Sequence, residues 1–216
     1  MQSFLSFFMS NEPVAQVVRA VTVIIIVLGV LLGWDRMKKA PANAKNNPSK
    51  MKKKLAGLAK GFARKTEGKS LSNVVLKVGD EDLSPDAVVV APFGVMILLG
   101  CDEAGNIYLE EKDPEIAKEQ GNKKSFINNP YLRIEKTRRA VNELLRKEGI
   151  AGTDTACKLI FTNRYATVIA PRSMQRYNMK SIREEFKKAE YQKDNNFAVE
   201  KAADALLKMT GGADEK

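Results

Sequence analysis

Apolar residues run almost unbroken through VAQVVRAVTVIIIVLGVLLGW, residues 14–34. At about 1.5 Å of rise per residue, a helix of that length matches a hydrocarbon layer roughly 30 Å thick. Gln16 and Arg19 fall in its first turns, where an arginine reaches the headgroups, and Trp34 closes it as an interfacial aromatic does. Only Thr22 interrupts residues 21–32, so no polar face is left for a soluble core helix. The pattern predicts one transmembrane helix, preceded by a short extracytoplasmic stretch, 1–13. A cleaved signal peptide is the rival. It would start positively charged, whereas 1–13 holds no Lys or Arg and RMKK follows the run. Lysines and arginines crowd the C-terminal side, so the chain is expected at a cell membrane as a single-pass protein, N-terminus outside and C-terminal domain cytoplasmic.

Next comes DRMKKAPANAKNNPSK, a polar connector. It leads into MKKKLAGLAKGFARK, where Met51, Leu55, Leu58 and Phe62 recur at helical spacing and lysines cover the remaining face. Residues 35–70 therefore read as a basic juxtamembrane linker carrying an amphipathic helix. That helix has three possible destinations: the following domain, an anionic lipid surface, or nucleic acid.

From residue 71 the period changes. NVVLKV (73–78) predicts a strand ending at Gly79-Asp80, and DAVVV a second whose continuous apolar run implies burial on both faces. APFG reads as a turn, VMILL as a third strand, and IYLE (107–110) as a fourth pairing back after the DEAGN turn. The charged stretch 111–126 reads as loop. Asn129 caps, Pro130 opens and Gly149 ends a helix striped with Ile134, Val141, Leu144 and Leu145. CKLIFTN and YATVIA predict two more strands, and two amphipathic helices follow between Met179 and Met209. The order implies an α/β or α+β fold, a mixed β-sheet flanked by helices, with a main domain at 71–177 and C-terminal helices and tail at 178–216.

Charge sharpens this outline. The net charge is +10, and residues 35–69 carry twelve basic and two acidic side chains. The rest of the chain balances to zero. The basicity thus belongs to the segment after the apolar run, with Lys50, Lys52, Lys53, Lys54, Lys60, Arg64 and Lys65 as candidate anion-binding residues. Juxtamembrane lysines are each worth about 1 kcal/mol near anionic lipid. The expected partners are therefore an anionic membrane surface, then nucleic acid or membrane-associated proteins. Nothing points to a small-molecule substrate. The chain has no histidine, which excludes Ser-His-Asp and Cys-His nucleophile arrangements and any His-bearing zinc site. Two cysteines make no disulfide framework and read as reduced thiols. Catalysis, if present, would rest on Asp and Glu with a metal.

Several motifs between residues 71 and 163 together resemble the nuclease-related domain family of the restriction-endonuclease-like fold. They are Asn73-Val74-Val75-Leu76, Asp86 opening DAVVV, the APFG turn, the Asn129-Pro130 helix start, and KLIFTN. The resemblance implies a restriction-endonuclease-like core after the transmembrane helix. It also implies metal-assisted hydrolysis, in which an Asp and a Glu hold Mg²⁺ or Mn²⁺ and a nearby lysine activates water. In this chain the Glu position falls on Leu99, the Lys position on Cys101, and a helix glutamine on Arg133. The preceding helix offers no carboxylate. The expectation is a retained scaffold without catalytic residues or cofactor, acting as a binding or scaffolding module. Two alternatives stand beside it. One is an active nuclease whose metal ligands have moved to Asp102 or Glu103 through a bulge. The other is a protein-interaction module of an envelope assembly that shares only the fold.

Overall fold

The computed structural model describes residues 21, 24, 27, 48–72, 74–78, 81–150 and 155–208, and divides the chain into two compact units, Met1–Pro41 and Ala42–Lys216. In the first unit Val21, Ile24 and Val27 are helical, with exposed side chains. The remainder of 14–34, the stretch 1–13, the connector 35–47, Asn73, Gly79-Asp80 and the tail from Met209 lie outside the described residues. Among the described residues no helix is long and apolar enough to cross a membrane.

In the second unit the amphipathic stripe forms helix α1, Pro48–Lys65. Leu55, Ala59, Phe62 and Ala63 are buried and lysines remain outside. Of the three destinations open to this helix, the stripe takes the domain. The first turn after α1 is tight: Gly68 N–H donates to Ala63 O at 2.8 Å, and a Cβ on Gly68 would lie 2.5 Å from Val90 O. That contact brings strand β1, Lys69–Leu71, alongside β4, Ala87–Ala91, in antiparallel register with Leu71 opposite Val88. A small hairpin, β2 (Leu76–Val78) with β3 (Glu81–Leu83), lies between them in sequence.

β4 turns through Pro92-Phe93 into β5, Gly94–Cys101, which pairs back on it. Helix α2, Pro130–Lys147, then carries the chain to β9, Ala156–Phe161, parallel to β5, and the two-residue β11, Tyr177–Asn178, extends the sheet. The strand order is β1-β4-β5-β9-β11. Alternation sends Val88, Val90, Val95 and Ile97 toward α2 and the C-terminal helix α4, Val199–Lys208. Ala87, Val89, Met96 and Leu98 instead face α1 and the one-turn helix α3, Ser181–Glu185. Both faces are covered, which accounts for the unbroken apolar runs in β4 and β5.

Three expectations need correction. The fourth strand, β6 (Gly105–Tyr108), leaves the main sheet and joins a second one, in the order β10-β6-β7-β8. There it runs parallel to β10, Ala166–Ile169, with Ile107 opposite Val168. The stretch expected as loop instead holds β7, Glu115–Gln120, and β8, Lys123–Asn128, a hairpin across Gly121-Asn122. β8 is largely exposed and β7 buries only Ile116, so its composition looks like loop, while Gly-Asn between two short runs is a hairpin turn. The first C-terminal helix is only one turn long, followed by a 3₁₀ turn at Ala189–Gln192. The architecture is mixed α+β, sheets flanked by helices.

Candidate functional site

Asp86 precedes β4. Its backbone N–H donates to Leu98 O at 3.1 Å, and its carboxylate Oδ2 accepts from Gly100 N–H at 2.7 Å. Asp86 is a bend just outside the antiparallel ladder, whose last pair at this end is Ala87 with Leu98. Leu99 is 1% exposed and Cys101 7%. Both belong to the apolar cluster that joins the two sheets, with Ile107, Leu109, Ile116, Ile134 and Leu159. Gly100, between them, points the other way, where a Cβ would meet Leu55 Cδ1 at 2.6 Å and Met51 Sδ at 2.7 Å. A side chain there would make the ends of Leu55 and Met51 shift, and the same Gly100 backbone amide engages the one matching acid.

Burial raises the pKa of Asp86 above the usual carboxylate value; the Gly100 N–H, Arg133 and Lys52 oppose that shift without cancelling it. Arg133 also donates to Ser84 O at 2.7 Å. Burial likewise pushes the Cys101 thiol up to about 11 and the Cys157 thiol up to about 12, so both stay protonated at neutral pH. Asp102 and Glu103 turn to other partners: Thr162 Oγ1 donates to Asp102 Oδ1 at 3.0 Å, and Glu103 pairs with Lys118. Among the described residues no group of three or more Cys, Asp or Glu side chains is placed to hold a metal ion. The divalent cation implied by the resemblance does not fit these residues. The one matching carboxylate is buried and hydrogen-bonded, and Leu99 and Cys101 line the core.

The environment of Asp86 is instead basic. Lys52 and Lys53 line a cleft of ≈ 350 Å³ with Ser72, Ser84, Pro85 and Asp86. The other candidate anion-binding residues, Lys50, Lys54, Lys60, Arg64 and Lys65, are exposed along α1. α1 therefore presents cations, while Leu55 and Phe62 of its stripe are buried and Met51 and Leu58 are half-buried.

Removing the Asp86 carboxylate tests what it does. Asp86→Ala leaves the Gly100 N–H without its acceptor and is expected to cost about 1–3 kcal/mol in urea unfolding. Asp86→Asn keeps an oxygen in place and is expected to unfold within about 0.5 kcal/mol of the parent at pH 7. The sign follows from the raised pKa. An acid so shifted favours the folded state below its unfolded value near 3.8, and that contribution is lost as pH rises through the folded pKa. The amide has no such loss. A large destabilisation by Asn would show that the charge itself holds the fold.

The sequence passed over a second polar cluster. Lys158, inside CKLIF, is 5% exposed, and its Nζ lies 2.7 Å from Glu185 Oε1. It also donates to Tyr177 Oη at 3.2 Å, while Tyr191 Oη donates to Glu185 at 3.2 Å. Lys188 holds the other carboxylate oxygen at 2.9 Å. Burial raises the Tyr177 hydroxyl to about 12. A lysine in mid-strand among apolar residues was the available signal. Its acid lies 27 residues away and its tyrosines on β11 and the 3₁₀ turn, so the sequence alone showed no pairing. Comparison of the chain with family models, with curated proteins and with solved structures gives no match.

Proposed function

We propose that this chain is a membrane-tethered, non-hydrolytic binding module built on a restriction-endonuclease-like core, working at an anionic surface on the cytoplasmic face. The carrying observation is the state of Asp86: its carboxylate is taken by the Gly100 amide, and Leu99 and Cys101, where the resemblance implies Glu and Lys, are packed core. Of the motifs behind the resemblance, DAVVV, the APFG turn and KLIFTN fall on the adjacent strands β4, β5 and β9 of one sheet. Asn129-Pro130 starts the helix that leads into β9, which supports the core reading, while Leu76 lies in the separate β2–β3 hairpin. The apolar run and the helical, exposed Val21, Ile24 and Val27 support the tether. The cations of α1 and the cleft beside Asp86 support an anionic partner, membrane lipid first.

The test uses the full chain in detergent, incubated with DNA or RNA and Mg²⁺ or Mn²⁺, beside Asp86→Ala. No metal-dependent cleavage above the level of the variant is expected. Cleavage that requires the metal and disappears in Asp86→Ala would overturn the reading and restore a nuclease with relocated ligands.

A further inference from the structure

Between α1 and α3 the surface opens into a groove of ≈ 980 Å³. Its floor is apolar: Leu58, Phe62, Met179 and Phe186, with the Phe62 and Phe186 rings stacked at 4.1 Å. Its rim carries Lys54, Lys65, Arg183 and Lys187 against the single acid Glu184, which Lys187 already pairs at 2.9 Å. Among the described residues Lys54, Lys65 and Arg183 form no ion pair. On the α1 wall, Gly57 and Gly61 would each accept a Cβ with nothing within 4 Å. Neither glycine is required by the packing described, although each weakens a helix interior relative to alanine. Both positions line the groove and open onto space rather than onto packed atoms.

We propose that this groove receives an acyl chain of an anionic phospholipid, the chain lying against Leu58 and Met179 above the buried Phe62–Phe186 stack and the headgroup held by the rim cations. Three features favour lipid over other occupants. The rim charge complements an acidic headgroup at the edge of an apolar trough. From Lys54 to Lys65 the wall runs about 16 Å, close to the roughly 15 Å occupied by one leaflet's hydrocarbon. The thirteen residues 35–47, between the apolar run and α1, extend to about 45 Å at most, within reach of a tethering bilayer. The inference rests on the membrane-tethered reading for its source of lipid, and on the groove alone for its site.

The experiment reconstitutes the full chain into phosphatidylglycerol vesicles containing a trace of phosphatidylglycerol with a photoreactive group on its acyl chain, and maps the crosslinks by peptide. Two variants accompany it: Gly57→Leu with Gly61→Leu, which fills the groove into open space, and Lys65→Gln with Arg183→Gln, which removes rim charge at the surface. Labelling is expected on the α1 and α3 peptides as well as on 14–34. In either double variant the groove labelling should fall by about tenfold while the 14–34 labelling persists. Labelling confined to 14–34 would overturn the groove proposal and leave the tether standing. Absence of labelling from both regions would overturn both. Groove labelling that survives the filling variant, or equals it in phosphatidylcholine vesicles, would overturn the site or the headgroup preference. Displacement of the lipid by an acidic amphipathic peptide at lower concentration than by added phosphatidylglycerol would reassign the groove to a helical protein partner.

Discussion

Lys158→Met is expected to destabilise the folded chain by about 3–5 kcal/mol, because it leaves the Glu185 carboxylate buried without its nearest cation. The two side chains are 6% and 7% exposed and 2.7 Å apart, and they bridge β9 to a C-terminal stretch with little means of holding itself. α3 is five residues long and the next turn is 3₁₀, both too short to persist without tertiary contacts. The ion pair and the aromatic group of Phe62, Phe93, Phe186 and Tyr191 fix them instead. Urea unfolding at pH 7 measures the effect. Lys158→Met with Glu185→Leu removes both charges and is expected to recover most of the loss, since apolar replacement of a buried pair is often neutral or better. A cost under about 1 kcal/mol for Lys158→Met would mean that water already screens the pair.

Acid should act on the same contact. Burial alone would raise the Glu185 pKa, but Lys158 and Lys188 outweigh it and hold the carboxyl down at about 2. A group whose pKa is depressed on folding contributes stability that is complete above its unfolded value near 4.5 and is lost as pH falls toward 2. The parent should therefore lose stability over that window, and the double variant should lose less.

Leu99→Glu is the second large effect: a loss of about 3–5 kcal/mol at pH 7, as for an uncompensated charge placed in a core. The substitution restores the acid that the resemblance implies, but into the cluster that cements the two sheets. Leu99→Met is the control and should cost less than about 1.5 kcal/mol, since it conserves volume. Equal stability of the Glu and Met variants would mean that the position opens on a polar pocket, and the non-hydrolytic reading would have to be abandoned. Losing stability without gaining metal-dependent cleavage is the expected result.

The elements that could be read from sequence are those whose signals are local. Helix α2 carries its own boundaries: the Asn129 side chain accepts from Tyr131 N–H at 2.9 Å, Pro130 opens the first turn, and Gly149 leaves it at φ 66°. The β4–β5 hairpin is written in the same way, as a continuous apolar run folded at Pro92-Phe93. The stripe of α1 was equally plain, but the face it would meet was not, because the same lysines suit water, lipid and nucleic acid. The exposed β7–β8 hairpin went unread because a strand with little to bury has the composition of a loop, and its turn was the only clue.

For the candidate site, the chain order supplied the side chains: one acid at Asp86, then leucine and cysteine where the resemblance implies glutamate and lysine. Sequence by itself determined which groups are available, because residue identity and short-range periodicity act over a few positions. Only the tertiary structure decided what they do: Asp86 bonded to an amide 14 residues on, Leu99 sealing two sheets, and Lys158 meeting Glu185 across 27 residues. Such contacts arise from strand register and helix docking, which depend on the shape of the whole core and leave no local trace.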